Sequence, residues 1–508
     1  MRISASFLAL ILPATASAEQ PLSAIDWLAR NAPEPEFGLM VAEPPVTPTA
    51  LRPEVEVEPL GRTPRAIGLV PPNVTGLPAD LWSNSNPVEV AELVRDVPVE
   101  DTPAMQTLLY TLLLSEAYPA GDAQSGETLL LARLDRLLAL GAIDPAEALA
   151  EEAGVSGYPE RFSRWFDATL LTGNEDSACA LMEQQPYLTK SYPARIFCAA
   201  RRGDWQTAAL TLEVAHSLNL LDAEQLDLLD RFLSPDIYDG APPLPVPGAP
   251  DPLTFRLFET IGERLPTAAL PRAFAHADLR DVAGWKAQIE AAERLSRVGA
   301  LPSNRLLGLY TERKPAASGG VWDRVTALQR FEVALGTGSS EAVTKTLPEV
   351  WDAMQRAELE VAFAELFADP LARMALDDTR ARRIAWHIHL LSPDYENAAL
   401  APRVDGARAE FLSTLALGTP RDAPPGDEIA QAIIEGFANG AALPPRVQDA
   451  LAKGRLGEAI LRTMIYFDQG ARGNPSVLSG ALAALRHVGL EDTARRASLQ
   501  LMLLERRG

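Results

Sequence analysis

From about residue 78 onward, apolar side chains recur at three- and four-residue steps. Met105, Leu108, Leu109, Leu112 and Leu113 make one row, and Leu130, Leu134, Leu137 and Leu138 make the next. That spacing places each row on a single stripe of an α-helix. Start signals stand before several rows. Thr102-Pro103 offers a cap and a first-turn proline, and Ser392-Pro393 opens a helix in the same way. Asp144-Pro145-Ala146-Glu147 and Asp222-Ala223-Glu224-Gln225 follow the logic of a capping box.

Glycine breaks separate the rows. Ile196, Phe197 and Ala200 form the stripe of one helix; Trp205, Ala208, Leu212 and Ala215 form the stripe of the next. Between them Gly203 supplies a left-handed residue and Asp204 caps the second helix. The pair reads as an αα-hairpin turn. Arg202-Gly203-Asp204, an adhesion signal when displayed on a mobile loop, is therefore expected to be a turn between helices. The step from Gly to an Ala five residues on recurs at Gly141/Ala146, Gly173/Ala178, Gly454/Ala459 and Gly489/Ala494. The glycines at 141, 173 and 203 are 32 and 30 apart, and those at 454 and 489 are 35 apart. Alanine is too common here for the bare spacing to decide anything. The order of apolar helix, glycine turn and apolar helix supports a repeated hairpin.

Gly203-Asp204-Trp205, Ala208 and Ala215 resemble the turn and second helix of a tetratricopeptide repeat. Ile196 stands where that family usually has Gly, and Leu220 where it usually has the repeat-ending Pro. The expected fold is all-α, a tetratricopeptide-like α-solenoid of helix hairpins behind a Pro-rich, largely irregular N-terminal segment. Such arrays present a concave surface to a protein or peptide. A wider resemblance runs through PLSAIDWLAR (21–30), PARIFCAARRGDWQTAALTLE (193–213) and LPRAFAHADLRDVAGWKAQIEAAERLSRVGA (270–300). These blocks are similar to a family of uncharacterised exported bacterial helical proteins, some labelled antifreeze glycopeptide related. The resemblance implies export and brings no catalytic motif. Ice binding needs a flat Thr or Ala array, and the chain has no Ala-Ala-Thr tandem.

Residues 1–18 carry Arg2, the apolar run Phe7 to Leu12, and Ala16-Ser17-Ala18. This is the form of a signal peptide cut before Glu19, and its apolar run is too short to span a bilayer. Export to the periplasm or the medium is expected. Residues 19–77 form a Pro-rich segment with one short helix near 22–30 and a short strand at Glu54 to Glu58. Helical blocks are expected at 78–236, 253–418 and 428–508. They are separated by a Pro-rich linker or strap at 237–252 and a linker at 419–427.

The chain has 508 residues and a net charge of −22, or −23 without Arg2. That excess of acid disfavours nucleic acid and anionic membrane surfaces. Its two cysteines, Cys179 and Cys198, are expected to form a disulfide in an oxidising compartment, stapling adjacent hairpins. No zinc ligand set accompanies them.

Familiar catalytic motifs are missing from the sequence. There is no Gly-x-Ser-x-Gly elbow, P-loop or His-Glu-x-x-His, and no Glu-Ser pair of the lytic transglycosylase kind. His387 and His389 form the one close His pair, and on a helix two residues apart they diverge. His216 reads as a core imidazole. Glu151-Glu152 and Asp377-Asp378 read as solvated faces. Phe162, Trp165, Phe166 and Trp285 read as core, and Trp322 comes after a Gly/Ser loop that can expose it. No catalytic, cofactor or metal site is expected. The expected function is an interaction or scaffolding module of the cell envelope, with a protein or peptide partner. The alternative is an enzyme, or its accessory subunit, acting on cell-wall glycan. It predicts a cleft with two convergent carboxylates, one of raised pKa.

Overall fold

The computed structural model describes residues 65–121 and 126–504. The expected signal peptide, the helix over 22–30 and the strand over 54–58 lie outside the described residues. By internal contacts the chain separates into 1–60 and 61–508, and the described residues all belong to the second unit. Among the described residues that unit is all-helical, with 25 α-helices, three short 3₁₀ turns and no named strand.

All five Gly-to-Ala steps behave alike. Gly141, Gly173, Gly203, Gly454 and Gly489 each end a helix with φ between +68° and +85°. In each case the next backbone N–H returns to a carbonyl five residues back, as in Asp204 N to Ala199 O at 2.9 Å and Leu490 N to Leu485 O at 2.8 Å. This is the Schellman closure, which satisfies orphan carbonyls and needs a left-handed residue. The paired alanines 146, 178, 208, 459 and 494 are 0% to 2% exposed, each in the first turns of the next helix. A methyl-sized side chain there lets the two helices of the hairpin approach closely.

The cap at Asp222 forms as a reciprocal box, with Gln225 N donating to Asp222 Oδ1 at 2.8 Å and Asp222 N to Gln225 Oε1 at 3.3 Å. Two start signals resolve differently. Helix Ile143–Ala153 begins before Asp144, because Ala142 O already accepts from Ala146 N at 3.1 Å. Asp144 then sits in the first turn, where the helix dipole favours a carboxylate. Ser392 closes helix Thr379–Leu391, and its Oγ accepts from Asp394 N at 3.1 Å ahead of helix Tyr395–Leu400.

Two large hydrophobic clusters make the core. One draws on residues from Leu77 to Ala277 and again from Trp386 to Met502; the other draws on Ala275 to Leu391 with Leu504. The first and last helical blocks therefore share a core. Helix Pro103–Leu114 packs on Glu491–Leu503, and Gln500 Oε1 accepts from Ala104 N at 2.7 Å, capping a helix from the far end of the chain. Trp82 lies against Gly457, where a Cβ would stand 2.4 Å from the indole ring. Near residue 67 the chain has no helix, and buried Arg133 ties it to the end of helix Pro103–Leu114. It donates to Ile67 O, Leu113 O and Ser115 O at 2.7–3.0 Å, and burial pulls its pKa down to about 10.

The Pro-rich stretch after Tyr238 runs without helix to Pro252. Arg231 donates to Pro242 O at 2.9 Å, and Leu244 N donates to Glu263 Oε2 at 2.7 Å. Leu244 packs against the larger core cluster, and Asp251 caps the next helix.

Candidate functional site

The hairpin of helices Tyr192–Arg201 and Trp205–Ser217 gathers most of the residues singled out in the sequence. Cys198 on its first helix is bonded to Cys179 on helix Glu175–Gln184, across a sequence separation of 19. Both cysteines are buried. At the foot of the hairpin lies Glu175, fully buried, whose Oε1 accepts from Arg256 at 3.0 and 3.2 Å with Arg201 3.5 Å away. Arg256 also bonds Glu259, which takes Arg280 in turn. A covalent link and an ionic chain thus fix the hairpin's base.

The Arg-Gly-Asp turn is exposed, but it is fixed as the junction of two helices and not carried on a separate loop. Arg202 pairs with Glu183, Gly203 holds φ +84°, and Asp204 Oδ1 accepts from Thr207 N at 3.0 Å. Hydrogen bonding to Thr207 holds the Asp204 carboxyl below the usual range. Ala208, Leu212 and Ala215 are buried as one face. Trp205 departs from that face: it is 53% exposed and leans on Phe232, with ring centroids 6.3 Å apart. As the first helical residue it has no preceding turn to cover.

The opposite face of helix Trp205–Ser217 is the unexpected feature. Leu210, Val214 and Leu218 are 64%, 44% and 60% exposed, at i, i+4 and i+8. With Leu218 at the C-cap, they form an apolar row facing solvent, away from the row that faces the core. Large side chains exposed singly are ordinary; three in register along one helix are a patch. The signal was present in the sequence. TAALTLEVA has apolar residues on two sides and Glu213 as its sole charge, a pattern suited to a helix covered on both. The surroundings are acidic. Residues 204–239 hold eight Asp and Glu against one Arg and no Lys, a net charge of −7. Asp230 titrates above the usual range through burial, then through the charges of Asp227 and Glu213.

The other residues with candidate chemistry are engaged elsewhere. His387 and His389 share helix Thr379–Leu391. His389 Nε2 lies 3.2 Å from Asp394, while burial and the charges of Arg408 and Arg383 push His387 down to about 4. His276 is buried, with Nε2 2.7 Å from Gly141 O. His216 is exposed, contrary to the core position expected, because it lies one step round from Ala215 where no helix covers it. Trp285 and Trp322 pack together with centroids 5.0 Å apart, and Trp285 Nε1 donates to Leu309 O at 2.8 Å. Among carboxylates, Asp167 is pushed up to about 7 by burial and then by the charge of Asp251. Neither residue lines the cavities of about 510, 920, 660 and 540 Å³ that open on the described surface; the last is lined by Glu89, Asp449 and Glu458 with Arg446, Arg455 and Arg462.

Among the described residues no helix is long and apolar enough to cross a membrane, and no cluster of three metal-ligating side chains occurs. Comparison of the chain with protein-family models, with curated proteins and with solved structures finds no match.

Proposed function

We propose that this chain is an exported interaction module of the cell envelope, built from stacked helix hairpins of tetratricopeptide type. Its docking surface is the row Leu210, Val214 and Leu218. The occupant is a protein segment that is apolar on one side and rich in Lys or Arg on the other. The observation that carries the reading is an apolar row set within 36 residues of net charge −7. Apolar contact supplies affinity, and the acidic surround selects a basic partner and speeds its approach. The disulfide and the ionic base of the hairpin support the reading, since a rigid surface loses less entropy on binding.

The test is direct. A labelled helical model peptide of Leu and Lys is titrated into the purified mature protein and monitored by fluorescence anisotropy. Saturable binding that weakens with salt is expected, because exposed charges are screened. A Leu/Glu peptide of equal length should fail to bind. The double variant Leu210→Glu/Val214→Glu should weaken binding by about tenfold or more while unfolding normally, since both side chains are exposed. Equal binding of both peptides, or of parent and variant, would overturn the reading.

A further inference from the structure

The cavity of about 660 Å³ lies between helix Trp285–Ser296 and the segment Arg264 to Ala268, with Arg324 at its side. Four arginines line it, in a chain whose charge is strongly negative: Arg264, Arg294, Arg297 and Arg324. Three carboxylates line it too: Asp278 and Glu293 are held by arginines, and Glu290 is half exposed beside an exposed lysine. Asp278 Oδ1 takes Arg264 at 2.8 Å, and its Oδ2 takes the Thr267 hydroxyl. Glu293 takes Arg324 through both oxygens at 2.8 and 2.5 Å and the Tyr310 hydroxyl at 2.6 Å. Glu290 lies 3.5 Å from Lys286.

Two guanidinium groups are left over. Arg294 donates to backbone carbonyls only, Thr267 O at 3.0 Å and Leu270 O at 2.5 Å. Arg297 donates to Ala357 O at 2.7 Å and comes no nearer than 4.0 Å to a Glu293 oxygen that Arg324 already holds. Neutral carbonyls orient a guanidinium without cancelling its charge. Burial and the nearby Arg272 and Arg297 charges lower the pKa of Arg294, the expected sign for crowded cations. The remaining wall is apolar, with Leu265, Pro266, Ala268, Ala287 and Ala291. The volume falls in the range of small-molecule sites.

We infer that this cavity binds the anionic head of a small amphipathic molecule, a carboxylate or a phosphate, between Arg294 and Arg297, with the ligand's apolar part against Leu265 and the alanines. A planar guanidinium gives paired hydrogen bonds to either head group. The site is separate from the hairpin row, so it stands or falls independently of the docking surface.

The experiment titrates octanoate and, separately, inorganic phosphate into the full mature protein by calorimetry, with sodium chloride holding ionic strength constant. A saturable heat is expected for at least one probe. Octanoate alone identifies a carboxylate amphiphile, and phosphate alone identifies a phosphate head. Arg297→Gln should weaken the responding probe by about tenfold or more, because a hydrogen bond to a charged group is lost. Arg297→Lys, which keeps the charge and loses the fork, should fall between. Arg294→Gln should act like Arg297→Gln where circular dichroism shows it folded. Arg373→Gln, at an exposed pair with Asp369 outside the cavity, should bind as the parent does. No saturable heat from either probe would overturn the inference. So would Arg297→Gln binding unchanged, or Arg373→Gln weakening binding equally.

Discussion

Gly203 and Gly457 show two different reasons for the same residue. Gly203 has φ +84° and open space where a Cβ would stand, so Gly203→Ala carries a conformational cost alone, about 1 kcal/mol. Gly457 is helical, and alanine would normally stabilise such a position by about 1 kcal/mol. Here the added carbon meets the Trp82 ring, and overpacking of about 1–3 kcal/mol should win. Urea denaturation of both variants checks the sign: Gly203→Ala should fall below the parent by about 1 kcal/mol and Gly457→Ala by up to about 2 kcal/mol, where a helical glycine in open space would have gained. Asp167 gives a prediction in pH. Its folded-state pKa of about 7 is raised from the ordinary 3.8, so the folded chain holds this proton more tightly. The stability it contributes is complete below about pH 4 and is lost as pH rises through about 7. Asp167→Asn should therefore match the parent near pH 4 and exceed it at pH 8 by a few kcal/mol, on the order of the shift itself. Parallel stability curves for the two proteins would contradict the assignment.

At the level of helices and turns, what the chain does locally was legible. A glycine that ends a helix and an alanine in the next first turn are short-range requirements, and the five steps obey them together. The Asp222 box was readable for the same reason. The start at Asp144 was misread because a closed turn at Gly141 leads straight into the helix and leaves the cap position to Ala142. The solvent-facing row on Trp205–Ser217 was missed because exposure depends on what covers a helix, and that is not a local property. Trp205 and His216 were misplaced on the same ground. The disulfide joins two neighbouring hairpins and should contribute about 3 kcal/mol by closing a loop of this size in the unfolded chain. Cys198→Ser should melt lower than the parent under oxidising conditions, and the parent in reductant should fall toward it. Coincident melts in oxidant would remove the bridge from the account.

Across the described residues, the decisive contacts join distant blocks. Helix Pro103–Leu114 rests on Glu491–Leu503, and the Gln500 side chain caps the first of these. A strict solenoid confines contacts to adjacent repeats, and these contacts exceed that rule. No periodicity within either block announces such a pairing, so block boundaries drawn from proline runs do not reveal which blocks share a core. The same long-range packing leaves helix Trp205–Ser217 covered on one face only, and the proposed function depends on that uncovered face. The most direct measurement is site-specific photo-crosslinking in intact cells, with the probe placed at Val214 or, as a still more exposed apolar control, at Val333. The account predicts one discrete adduct from position 214 and none from 333, with the captured protein joined through a Lys- or Arg-rich amphipathic segment. Identical adducts from both positions, none from 214, or capture through an acidic segment would contradict it.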